Sequence, residues 1–118
     1  MKGKSGILIR LGIFPNLVGY RYLEYGIELL NENPDRIYYV TKDLYPVIAQ
    51  RYGTSWLSVE HAIRTAVAIC WERGNRTFLN EIAGYTLKTR PTASEFIAIL
   101  YKYQNMENEI KENYMTGV

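Results

Sequence analysis

Cysteine and histidine are nearly missing from this chain: each occurs once in 118 residues, as Cys70 and His61. One cysteine excludes an internal disulfide framework and fits a reducing compartment. The two cannot form a catalytic dyad either. They are nine residues apart on one predicted helix, about 13 Å along its axis at the usual rise. No Cys/His cluster has metal-ligand spacing, and no glycine-rich loop of the phosphate-cradling kind is present. The sequence therefore predicts no catalytic residue, no metal, no cofactor and no small-molecule substrate. Long apolar runs are also absent. MKGKSGILIRLGIF opens like a secretory leader, but Arg10 interrupts its apolar run after three residues. No segment approaches the roughly 20 apolar residues of a membrane span. A cytoplasmic protein without membrane contact is expected.

What is there is ordinary for a folded protein, 47% hydrophobic and 22% charged. The length fits one domain, residues 1–118, that buries roughly two-thirds of its unfolded surface. Helical periodicity dominates. Ser5 to Leu11 reads as a short helix capped by Ser5 and stopped by Gly12. Pro15 is placed for the first turn of a longer helix, whose apolar residues (Leu17 to Leu30) are too many for one stripe and mark a central support. That helix should stop near Asn33, ahead of Pro34. Ile37 to Val40 is β-branched and aromatic but has no partner run to pair with, so a short helix is preferred, with Thr41 as a cap and Pro46 near the start of the next. TFLNEIAG gives another helix from Thr77 to Gly84. Thr92 and Glu95 form a capping box for the last one, whose core face is Phe96, Ile97, Ile99, Leu100 and Tyr103. Beyond Asn105 the polarity rises and fraying is expected. The fold class is all-α, a compact single-domain bundle of about six helices. Most of the eleven tyrosines sit at core spacing.

One stretch, Leu44 to Asn75, stands out. Ile48, Ala49 and Tyr52 give its first helix an apolar side. Gly53 stands where a helix needs a left-handed residue, and Thr54 or Ser55 can cap the second helix. From Trp56 to Arg73, Val59, Ala62, Ile63, Ala66, Val67 and Cys70 recur at three- and four-residue steps as one buried stripe. Glu60, His61, Arg64, Thr65 and Ala68 fall on the opposite side, and Cys70 is a packed thiol. The small Ala49, Ala62 and Ala66 would let the two helices cross closely. The pattern is that of a helix-turn-helix; it also fits a structural αα-hairpin that never touches DNA.

Net charge is only +2, but residues 36–90 hold eight basic and four acidic side chains, a net of +4. The excess coincides with the helix pair and the basic loop after it, Tyr85 to Arg90, as an electrostatic footprint on phosphate requires.

The blocks GYRYLEYGI (19–27), TKDLYPVIAQRYGT (41–54), VEHAIRTAVAICWERGN (59–75), GYT (84–86) and PTASEFIAIL (91–100) resemble the C-terminal effector domain of the sporulation response regulators, Spo-zero-A. The likeness runs in order from about Ile7 to Tyr103. It implies a bundle of about six helices with an embedded helix-turn-helix and a transcription regulator that binds double-stranded DNA. The helix from Ser55 would enter the major groove, with a homodimer on DNA as a further expectation. It also implies contact between the region from Glu72 to Thr86 and the sigma subunit of RNA polymerase, with Glu72, Arg73, Arg76 and Glu81 as the partner surface.

On that reading Ser58, Glu60, His61, Arg64 and Thr65 face bases or groove. Arg64 would contact a base edge or phosphate, and Glu60 would accept from a cytosine amino group. Thr54 and Ser55 would offer backbone amides to a phosphate. Lys42, Arg51, Lys88 and Arg90 are backbone-positioning candidates. If His61 faces phosphate, its protonation would strengthen binding as pH falls. Two departures qualify the likeness. The family carries arginine at the positions of Ser58 and His61, and its loop after Tyr85 is a few residues longer. A changed or relaxed target sequence is therefore expected. No receiver domain precedes the blocks; Met1 followed directly by family-like sequence is what a solitary homologue would show, and a domain cut from a longer protein would begin the same way. The alternative reading is a protein-interaction module of the same fold that has lost operator-specific readout.

Overall fold

One helix, Val18–Glu32 (α2), carries apolar residues on more than one side and touches most of the others. The computed structural model describes the backbone of residues 3–116 and the side chains of residues 6–110. In chain order, α1 (Gly3–Arg10) and α2 are followed by a 3₁₀ segment (Pro34–Tyr39) and a π turn (Val40–Leu44). Then come α3 (Tyr45–Tyr52), α4 (Trp56–Arg73), α5 (Arg76–Ala83) and α6 (Ala93–Thr116). No strand occurs among the described residues, and the class is all-α with six α-helices, as expected. α2 buries Tyr20, Tyr22, Leu23, Ile27, Leu29 and Leu30 and packs on α1, α3, α4 and α6. The most enclosed core side chains, among them Leu23, Leu30, Ile48, Ile63, Leu79 and Phe96, come from five helices.

Most termini follow local rules. α2 ends at Asn33, whose N–H donates to Leu29 O and whose side chain accepts from Asp35 N at 3.2 Å to start the 3₁₀ segment. The expected short helix around Ile37 is thus a 3₁₀ segment running into a π turn. Thr92 and Glu95 exchange bonds as a capping box: Thr92 N donates to Glu95 Oε1 at 3.0 Å, and Glu95 N donates to Thr92 Oγ1 at 3.1 Å.

Four local expectations are corrected. α1 begins at Gly3, so Ser5 lies inside it and does not stand at the cap position. Pro15 precedes α2: Leu17 N donates to Phe14 O at 3.0 Å, which makes Pro15 the second residue of a β-turn, a position its fixed φ suits equally well. Thr41 lies inside the π turn, and Leu44 occupies the cap position of α3 without a side-chain hydrogen bond. α6 continues to Thr116; three glutamates and two methionines in its polar end, residues 106–116, are good helix formers.

α2 approaches α4 closely at Ala62 and Ala66. A Cβ on Gly19 would stand 2.5 Å from Ala62 O and 3.2 Å from Ala66 Cβ. At the C-terminal end of α4, a Cβ on Gly74 would stand 2.2 Å from Leu11 O, and Asn75 N donates to that same oxygen at 3.3 Å. Gly74 itself has an extended φ of −92°, so proximity and not handedness explains glycine there. α4 is therefore fastened near its middle, at Ala62 and Ala66, and at its C-terminal end.

Gly19→Ala tests the front contact. Alanine is favoured over glycine in a helix by about 1 kcal/mol, yet the clash is with backbone and should cost about 1–3 kcal/mol. The expected outcome is a thermal midpoint several degrees lower. An unchanged or raised midpoint would show that α2 and α4 can separate freely.

Candidate nucleic-acid interface

The turn between α3 and α4 is built by three residues. Gly53 adopts the left-handed conformation (φ 65°, ψ 41°), and Thr54 N donates back to Ala49 O at 3.0 Å, closing α3. Ser55 then caps α4: its Oγ accepts from Ser58 N at 3.1 Å and donates to Ser58 Oγ at 3.0 Å. Of the two hydroxyls proposed from the sequence, Ser55 is the cap and Thr54 is half-buried.

α4 has the two faces its periodicity demands. Val59, Ile63, Ala66, Val67 and Cys70 are buried, and Ala62 is half-buried. Ser58, His61, Arg64 and Thr65 are exposed, and Glu60 and Ala68 are half-exposed. The Thr65 hydroxyl donates to His61 O at 3.0 Å, so it is engaged within the helix.

A groove of about 430 Å³ runs along this face. Glu60 and Arg64 line it from α4, Arg90, Thr92 and Ser94 from the loop and first turn of α6, and Thr41 and Tyr45 from the π turn and α3. Two guanidinium-bearing residues and the positive end of a long helix thus border one concave surface. Tyr45 forms part of its floor, 1% exposed. Burial pushes its hydroxyl up to about 12; Glu60 adds to the rise and Arg64 opposes it.

The other basic candidates lie elsewhere. Lys42 lines a separate hollow of about 380 Å³ with Asp35, Arg36 and Asp43. The Arg51 guanidinium sits over the Tyr25 ring, 4.8 Å from its centroid, and 6.0 Å from that of Tyr52. Lys88 is exposed on a loop that Leu87 N anchors by donating to Asn80 Oδ1 at 2.9 Å. Glu72, Arg73, Arg76 and Glu81 are all exposed around α5. Arg76 is fixed: its Nε donates to Trp71 O at 2.7 Å, and its guanidinium lies 3.8 Å from the Trp71 ring centroid.

Sequence reasoning passed over three groups of residues. Tyr45 was one more core tyrosine, and its place under Glu60 and Arg64 depends on tertiary packing. Thr92 was noticed as a cap, but nothing local brings Thr92 and Ser94 to α4. Leu57 did leave a signal: it is out of step with the buried stripe and in step with His61 and Arg64.

A helical bundle whose second helix of a helix-turn-helix presents a polar, partly cationic face outward belongs to the class of helical effector domains. The chain belongs to the family described as sporulation initiation factor Spo0A C terminal, whose family model matches residues 5–104. That family is the helical DNA-binding effector domain of a sporulation regulator. No helix among the described residues is long and apolar enough to cross a membrane.

Cys70, on the inner face, is fully enclosed, and burial raises its thiol from 9.0 to about 11. Between these values the unfolded chain releases the proton and the folded chain keeps it. The contribution is therefore complete below pH 9 and lost as pH rises through about 11. Tyr45 acts in the same sense above pH 10. Unfolding midpoints should be level to about pH 8.5 and lower at about pH 10.5. Cys70→Ala should shrink that drop; an identical drop in the variant would exclude the thiol as its source.

Proposed function

We propose that the protein is a sequence-specific DNA-binding transcription regulator acting in the cytoplasm, with α4 as the recognition helix in the major groove and α3 crossing the backbone. The observation that carries this reading is the convergence of Glu60, Arg64 and Arg90 on one groove along the outward face of α4. Arg64 and His61 face base edges. Glu60 is placed to accept from a cytosine amino group or to orient Arg64. Arg90, beside the α6 N-terminus, holds a phosphate. Thr54, Ser55, Lys88 and Lys42 are further backbone contacts at the flanks. Arg51 joins them on leaving its tyrosine stack. Thr65 contributes less directly, since its hydroxyl donates to His61 O within α4, whereas the Ser58 hydroxyl accepts from Ser55 and keeps its own proton for a partner.

The surface of Glu72, Arg73, Arg76 and Glu81 is proposed as the contact for the sigma subunit of RNA polymerase, with Arg76 presented in a fixed orientation by Trp71. Association as a homodimer on DNA belongs to the same proposal. A second reading, a protein-interaction module without operator readout, draws on the internally bonded hydroxyl of Thr65.

Binding to a randomised duplex library across a salt series separates the two. An enriched motif with a steep fall of log K against log salt supports the regulator; retained polymerase binding without enrichment supports the module. Within the regulator, Arg64→Ala should lose about 5- to 150-fold on the preferred site and much less on random DNA. Arg90→Ala should weaken both alike and reduce the salt slope by about 1. Equal losses on both DNAs for Arg64→Ala would remove its role in specificity.

A further inference from the structure

The first turn of α4 exposes two large apolar side chains in succession: Leu57 is 58% and Trp56 40% accessible. Trp56 stands three and seven residues before Val59 and Ile63 and so continues their stripe, but Leu57 does not. Leu57 stands three, four and seven residues before Glu60, His61 and Arg64, so all four share one face of the helix. The polar face of α4 therefore begins with a hydrocarbon. The nearby hydroxyls do not change the character of Leu57 itself: Ser55 Oγ donates to Ser58 Oγ at 3.0 Å and accepts from Ser58 N, which leaves the Ser58 hydroxyl a donor beside it.

The geometry points to Leu57 as a reader of thymine, through apolar contact with the C5-methyl group. This inference rests on α4 entering the major groove. Helices docked in that way place their N-terminal residues against base edges, which is where Leu57 lies. Among the groups on the major-groove edge, the thymine methyl is the apolar one, and small hydrophobic side chains are its usual contact. Arg90, on the groove that Arg64 also lines, supplies attraction to phosphate that brings a duplex onto this face. Leu57 would then gain what it lacks in the free protein, an apolar surface that excludes water from it.

The experiment starts from the site the full chain selects from a random duplex library. Each thymine of that site is replaced singly by deoxyuridine, which removes one methyl group and leaves every hydrogen-bonding group in place. The wild-type protein should lose about three- to fivefold in affinity at one or two positions, the worth of one buried methyl. Leu57→Ala, an exposed substitution that favours helix, should bind the thymine and deoxyuridine duplexes alike at those positions. Three results overturn the inference: no penalty at any position for the wild type, a penalty that persists in Leu57→Ala, or a selected site without thymine. If no site is enriched, sequence-specific recognition fails and the reading of Leu57 falls with it. That outcome is distinct from a selected site insensitive to the methyl group.

Discussion

The contact between Gly19 and the backbone of Ala62 decides where α4 lies, and with it the orientation of every residue on its outer face. A helix packed through side chains can rotate by repacking them. One seated carbonyl-to-glycine has no such slack, because the contacting atoms are main chain on both sides. The second fastening at Gly74, where Leu11 O approaches within reach of any Cβ and accepts from Asn75, stops the far end from swinging. The inner stripe of α4 fills the core between these points. What remains outward is a row from Leu57 to Arg64 on a backbone already ordered before a partner arrives, so the ordering cost falls on the side chains.

The elements were legible in the sequence because their determinants are local. Gly53, Ser55, Thr92 with Glu95, and the apolar period from Val59 to Cys70 act over a turn or two, and the structure places each as its chemistry requires. Misreadings fell where one residue type satisfies two local structures. Pro15 suits a β-turn as well as a helix start. Thr41 had the right chemistry for a cap but sits within a π turn, whose wider winding leaves no signature in side-chain type. Residues 106–110 of α6 are exposed, yet the glutamates and methionines of its polar end favour helix by themselves.

The groove was not legible in that way. Its parts come from three stretches, Val40 to Tyr45, Glu60 to Val67 and Arg90 to Ser94, and only the packing of α6 behind α4 unites them. Arg64 and Arg90 could each be nominated from charge alone, but not their convergence. Lys42 was nominated on the same ground and lies in a different hollow beside Asp35 and Asp43, where its charge is offset. A count of basic residues along the chain cannot see that difference.

The composite origin of the groove sets a minimum unit. Cutting the helix pair from Tyr45 to Arg73 out of the chain and grafting it onto another support would carry over Leu57, Glu60, His61 and Arg64. It would leave behind Arg90 and the first turn of α6. The transplanted segment would keep its letters and lose seven of the eleven residues that line the groove. In this fold the working module is the bundle, not the motif.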